Sequence, residues 1–154
     1  MSTFQKSVIA LIAGSFDLIH PGYVRMFKAA KEGCDHLVVA LQGDPTLDRP
    51  EKCKPVQSLQ DRIEILSSIK YIDEILTYNT EAELLEILKS TKHHLRVLGT
   101  DYVGKDYTGK ELGVPVLWVE RDHDYSTTAL KESIFEERLN FHGRQSLNAR
   151  EQAW

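Results

Sequence analysis

His20 and Tyr23 stand either side of Pro21-Gly22 at the end of the stretch GSFDLIHPGY, residues 14–23, directly after the apolar run Ser7–Ala13. A glycine leaving a strand, here Gly14, lets the backbone turn sharply and come close to a ligand. Ser15 and Phe16 would then present backbone N–H groups near the start of the next helix, where the helix dipole favours an anion. His20 would project into the same space, and Pro21 suits a first helical turn because its missing N–H has no partner there. The chemistry that fits such a loop is the cradling of a triphosphate. The same residues also fit a plain turn, with Asp17 capping locally and His20 a hydrogen-bonded histidine, because glycine loops after strands are common.

The elements that must position this loop follow from hydrophobic period and breakers. Ser7–Ala13 is continuously apolar, as a strand buried on both faces would be. The six residues before it could mimic the head of a signal peptide, but a glycine loop follows instead of a cleavage site, so the run reads as a first strand. Gly22–Lys31 has helical spacing and Gly33 stops it; His36–Leu41 is a second strand. Gly43–Val56 carries three prolines and reads as a long loop. Ser58 to Asp61 and Thr80 to Glu83 resemble capping boxes, opening helices that run through Ile69 and Leu88. Asp73–Tyr78, Leu95–Leu98 and Val114–Val119 complete five strands, and a last helix is expected over Thr127–Leu139. Strands alternating with helices across short connections predict an α/β, Rossmann-like, doubly wound parallel five-stranded sheet with helices on both faces. Residues 1–139 would form the domain, and residues 140–154, which lose the period, a mobile or partner-bound tail. The loops after strands one, two, four and five leave carboxyl ends, where such sheets bind ligands.

Composition excludes several classes. A net charge of −4 leaves no chain-wide basic field for nucleic acid. The longest apolar run is far short of the roughly 20 residues a membrane helix needs. Cys34 and Cys53 have neither zinc nor disulfide spacing, which suits a cytoplasmic protein with reduced thiols. His93, His94 and His123 likewise lack metal-ligand spacing and are expected at the surface.

The opening stretch resembles the G-[ST]-F-D-x-x-H-x-G-H motif of the nucleotidyltransferase superfamily with the HxGH box. Within that superfamily the chain is most similar to the glycerol-3-phosphate cytidylyltransferase family, from about Val8 to Ile134. KCKPVQSLQDRIEIL resembles the family's lysine loop and the arginine-bearing helix after it, and YIDEIL its Y-V-D-E-V segment. VLGTDYVGK resembles G-D-D-W-x-G-K, and RDHDYSTTALKESI resembles R-T-x-G-I-S-T-T-x-[IL]-[KR].

The resemblance implies transfer of a cytidylyl group from CTP to a small phosphorylated alcohol, with release of pyrophosphate and no covalent enzyme intermediate. Catalysis would then rest on positioning and charge stabilisation. His20, a loop lysine (Lys54 in preference to Lys52) and Arg121 are the implied catalytic residues. Gly14, Ser15, Phe16, Tyr23, Asp101, Tyr125, Ser126, Thr127 and Thr128 join them in holding the nucleotide. Ser126-Thr127-Thr128 also makes an ordinary N-cap, and Arg121 alone would be a solvated charge; together, just after a strand, they favour phosphate. Arg62 and Asp73 match positions that look structural or interfacial. Mg²⁺ is implied as companion of the triphosphate, and a homodimer as the assembly, with no nucleic-acid or membrane partner.

Tyr23 departs from the motif, which has histidine there. Tyrosine donates one hydrogen bond but carries no positive charge. Activity is the favoured reading because the other groups remain together. If the Tyr23 hydroxyl donates to a phosphate in the transition state, Tyr23→Phe slows turnover about ten- to a hundredfold. A binding-only relative, or an enzyme for a different acceptor, are the alternatives. Thr100, Tyr102, Asp122, Asp124 and Tyr125 also depart from the motifs near the base and acceptor, so glycerol 3-phosphate need not be the acceptor. Adenylyl transfer, as in relatives acting on heptose phosphate or flavin mononucleotide, is the competing reaction. A nucleotide-binding scaffold and a flavodoxin-like redox module are the non-transferase readings.

Overall fold

A computed structural model describes residues 6–152. Five strands form one sheet: β1 (Ile9–Gly14), β2 (His36–Gln42), β3 (Glu74–Tyr78), β4 (Leu95–Gly99) and β5 (Val116–Val119). Their order is β3-β2-β1-β4-β5 and every pairing is parallel. The helices are α1 (Pro21–Glu32), α2 (Leu59–Ser67), α3 (Glu81–Ser90) and α4 (Thr127–Glu151). The expected doubly wound α/β architecture is therefore the observed one.

Two-residue alternation along β1 and β2 divides the core. Ala10, Ile12, Leu37, Val39 and Leu41 face Phe27 and Ala30 of α1 and Leu66 of α2. Leu11, Val38 and Ala40 point the other way, toward Tyr78 and toward Leu84 and Leu88 of α3. Each fully buried leucine or valine here contributes roughly 1.5–3 kcal/mol. Both capping boxes form: the Ser58 hydroxyl accepts from Asp61 N–H and the Thr80 hydroxyl from Glu83 N–H, and each carboxylate returns the bond. They fix where α2 and α3 begin, and hence how the sheet's second and third strands are framed.

The chain starts in the middle of the sheet, builds outward through β2 and β3, then crosses back to β4 on the other side of β1. The connections leaving β1 and β4 therefore diverge, and a crevice opens at their carboxyl ends. That crevice holds the groups described below.

The last helix corrects the sequence reading. It runs on to Glu151, well past Leu139, so the expected 140–154 tail is helical as far as it is described; residues 153 and 154, like 1–5, lie outside the described residues. None of its residues is buried. An apolar period is imprinted by burial on one side, so an exposed helix does not carry it.

Candidate active site

The loop between β1 and α1 is held in a costly shape. Phe16 and Leu18 both have positive φ, 43° and 53°, a region that disfavours residues with a Cβ. Burial of the Phe16 ring, 3% exposed, offsets the strain. It meets Phe27 at 5.1 Å and Tyr23 edge-on at 5.3 Å between centroids. This ring also explains Gly14. A Cβ there would lie 3.0 Å from Phe16 Cζ, so the bare Cα makes room for the loop's own aromatic ring, not for a ligand.

Two buried charges fix the loop from below. Asp17, 5% exposed, accepts from Val56 N–H at 2.9 Å and Gln57 N–H at 3.0 Å, and pairs with Lys131 Nζ at 2.9 Å. Burial alone would raise its pKa, but the Gln57 and Val56 amides and the Lys131 ammonium outweigh it and hold the carboxyl below its ordinary range. Arg62, 1% exposed, donates to the carbonyls of Ser15 (2.7 Å), Gln42 (2.6 Å) and Gly43 (2.7 Å), tying together the carboxyl ends of β1 and β2. Its role is structural. Asp73 is likewise a brace, accepting from Leu37 N–H and Lys31 Nζ. Sequence reasoning missed Asp17 because a short-range cap was its obvious use, and the partners lie 39, 40 and more residues away.

His20 is the N-cap of α1 and 6% exposed. Its Nδ1 accepts from Gly22 N–H at 3.1 Å, so the neutral ring carries its proton on Nε2. Nε2 is enclosed and has no partner among the described residues. Burial, then the nearby His123 and Arg121, lowers the pKa of His20. The ring is thus a neutral donor with an uncommitted N–H.

The segment after β5 supplies the opposite wall. Arg121 reaches Asp101, just beyond β4, at 3.8 Å and the Tyr125 carbonyl at 3.4 Å. Tyr125 lies nearly parallel to His20, 6.2 Å between centroids, with the Arg25 guanidinium 5.3 Å from its ring centre. Ser126 caps α4 by accepting from Ala129 N–H, and Thr127 donates to the Asp17 carbonyl at 2.9 Å. Thr128 is exposed beside them. Against α1 an open cavity of about 490 Å³ is lined by Ile19, His20, Pro21, Val24 and Arg25.

Several expectations change here. Tyr23 donates to Thr127 Oγ1 at 3.1 Å, because the single Thr127 hydrogen goes to Asp17. Its hydroxyl is therefore committed to docking α4, not directed at a ligand. His123 is half-buried rather than free at the surface: its ring lies against Gly22 and its Nδ1 is enclosed. His94 Nδ1 accepts from Ile9 N–H, and His93 Nδ1 bonds the Thr91 carbonyl, so both serve the frame. Lys54, exposed, reaches Asp44 at 3.9 Å, and Lys52 is also exposed. Neither lysine is bonded to His20 or Arg121. Cys34 and Cys53 are free thiols. Among the described residues there is no cluster of three or more acidic, histidine or cysteine side chains for a metal, and no helix long and apolar enough to cross a membrane. Asp101 is the carboxylate at the crevice, beside Arg121; an oxygen ligand of this kind suits a hard divalent cation.

Known proteins resemble this arrangement. Residues 11–133 match the model of the family described as cytidylyltransferase-like. The bifunctional protein HldE of Bradyrhizobium sp. is 34% identical over 122 residues, covering 76% of this chain and 25% of the relative. HldE of Helicobacter pylori strain P12 is 29% identical over 135 residues, covering 87% and 29%. The chain thus spans about a quarter of the length of these curated relatives. Among solved structures, the lipopolysaccharide core biosynthesis protein of Thermoplasma volcanium superimposes with a TM-score of 0.59 at 24% identity, covering 74% of this chain and 95% of the other. Pantoate-β-alanine ligase of Francisella tularensis gives 0.57 at 18%, covering 80% and 62%, and shares the fold. The match runs from β1 into α4, through every group that lines the crevice, and the chain belongs to the cytidylyltransferase-like family of nucleotidyltransferases.

Proposed function

We propose that the crevice binds a nucleoside triphosphate and transfers its nucleotidyl group to a small phosphorylated alcohol. The observation that carries this reading is the convergence of His20 Nε2, Arg121 and the α4 N-terminus on one space, with the imidazole N–H unpartnered. An acceptor phosphate oxygen attacks the α-phosphorus and forms the new P–O bond. The bond from the α-phosphorus to the bridging oxygen breaks, and pyrophosphate leaves with that electron pair. No side chain forms a covalent bond, so the chain's contribution is placement and charge.

His20 donates from Nε2 to an oxygen of the reacting phosphates, and being neutral it stabilises developing charge without surrendering a proton. Arg121 and the N–H groups opening α4 hold the terminal phosphates, as a guanidinium and a helix start do well. Lys54, with Lys52 beside it, faces the acceptor phosphate; its loop is tethered at Val56 and Gln57 by Asp17. Mg²⁺ bound with the nucleotide, held by Asp101 and triphosphate oxygens, would supply further charge neutralisation.

The favoured donor is CTP, in keeping with the family description. The similarity to bifunctional HldE proteins keeps the adenylyl branch named from sequence as the second reading, with ATP as donor and a sugar phosphate as acceptor. The test is pyrophosphate release from each of the four nucleotides with a panel of polyol and sugar phosphates. CTP consumed in preference supports the first reading and ATP the second; binding without turnover under every acceptor leaves a scaffold.

The assembly we propose is a homodimer joined through α4. Ile134, Phe135, Leu139 and Phe141 are large apolar side chains of α4 that the chain itself leaves exposed. Up to its midpoint α4 carries Lys131, Glu132, Glu136, Glu137 and Arg138, and beyond it Arg144, Arg150 and Glu151. The first half is therefore net acidic by one and the second net basic by one, and a second copy running antiparallel sets the two side by side. Light scattering should give a dimer for the whole chain and a monomer when Phe135→Glu and Leu139→Glu are combined; a dimer from that variant rules this contact out.

A further inference from the structure

His123 arrives from the far side of the crevice, on the segment between β5 and α4. A Cβ placed on Gly22 would lie 2.4 Å from His123 Cε1 and 2.9 Å from both Cε1 and Nδ1 of His20. Two imidazoles therefore press on the same bare Cα from segments about a hundred residues apart in sequence, and only glycine leaves room for both. Each ring carries one enclosed nitrogen without a partner, Nε2 on His20 and Nδ1 on His123. Enclosed polar atoms are nearly always bonded, so a pair of orphans in adjoining rings marks a place where a ligand supplies the missing partner. That partner is an acceptor for His20 Nε2, whose proton is fixed by the Gly22 bond, and one of either kind for His123 Nδ1. The pair shares the crevice with Arg121, and Tyr125 sits 5.5 Å from the His123 ring and 6.2 Å from His20.

Tyr23 cannot fill this role, since its one hydrogen is spent on Thr127. We propose that His123 is a second catalytic imidazole, donating from Nδ1 to the phosphates alongside His20 and so providing from the loop after β5 the donor that position 23 lacks. This rests on the nucleotidyl-transfer reading. No proton changes hands: the ring contributes a hydrogen bond that tightens as charge builds on the phosphate oxygens.

The test pairs kinetics with binding on the full chain. His123→Ala should lower kcat about a hundredfold, while the nucleotide dissociation constant moves less than about threefold and the melting temperature stays put. His123→Asn, whose amide nitrogen replaces Nδ1, should recover a large part of the loss, and Tyr23→His in the His123→Ala background should recover some as well. A kcat within about threefold of wild type, or a loss matched by weaker binding and a lower melting temperature, overturns the proposal. Ring-nitrogen NMR with inorganic tripolyphosphate gives an independent readout. His20 Nε2 and His123 Nδ1 should shift together; an unmoved His123 overturns the proposal. A wild-type protein inert toward every nucleotide would instead refute the nucleotidyl-transfer reading, and the NMR experiment would still decide whether His123 is a phosphate donor.

Discussion

Replacing Asp17 by asparagine keeps the shape of the side chain and removes its charge. Two consequences follow from the geometry. Asparagine has one acceptor oxygen, so one of the Val56 and Gln57 N–H groups meets an amide NH₂ instead of an oxygen. The Lys131 ammonium, 2.9 Å away, also loses its partner. A hydrogen bond to a charged group contributes about 1.5–3 kcal/mol, and breaking a buried ion pair costs about 3–5 kcal/mol. Lys131 keeps some contact with water, which puts the combined loss at about 4 kcal/mol. For a chain of this length that corresponds to roughly 12 °C in Tm.

Urea unfolding of both proteins between neutral and acid pH is the assay. Folding lowers the Asp17 pKa, so its stabilisation is complete above the unfolded carboxylate value of about 3.9 and is lost as pH falls through the folded value. The gap between wild type and Asp17→Asn should therefore be full at neutral pH and close in acid. A gap below about 1 kcal/mol at neutral pH, or one that does not shrink in acid, refutes the claim that this carboxylate holds the loop.

Gly22→Ala should cut kcat at least about tenfold by displacing both imidazoles, and because the His20 cap bond to the residue 22 N–H goes with them, the melt should come earlier than in wild type. Steady-state kinetics with a parallel thermal melt checks both halves. Tyr23→Phe removes one neutral bond worth about 1 kcal/mol and leaves Thr127 bound to Asp17, so kcat should fall less than about tenfold; a hundredfold fall in the same assay would return Tyr23 to the phosphates. Because burial and neighbouring charges lower the His20 pKa, its neutral form is favoured on folding. Its contribution to stability is full above about pH 6.5 and declines as pH falls through the folded value. His20→Gln should flatten that slope in denaturant titrations, and an unchanged slope would contradict the shift.

The five strands and the first three helices were legible because burial on one or both faces imprints period and the capping residues mark starts. The β1–α1 loop was legible as the turn that leaves the carboxyl end of β1, yet the surroundings of two residues there, Gly14 and Tyr23, were not. Gly14 was read as space for a ligand when it accommodates the Phe16 ring, a contact that depends on the positive φ of Phe16 and has no sequence signature. Tyr23 was read against the motif position, whereas its bond partner Thr127 lies 104 residues on. His123 was invisible for the same reason: ligand spacing along the chain says nothing about two rings meeting across a crevice. The available signal was its place two residues after Arg121, inside a segment already assigned to phosphate. The far half of α4 was missed because none of its residues is buried against the rest of the chain, so no period is imprinted on it.

A crystal structure with a non-hydrolysable nucleoside triphosphate tests the central claim most directly. The account predicts phosphate oxygens within hydrogen-bonding distance of both His20 Nε2 and the Arg121 guanidinium, with the terminal phosphates at the start of α4. A triphosphate bound elsewhere, with His20 Nε2 and Arg121 both left without a phosphate oxygen, would contradict it.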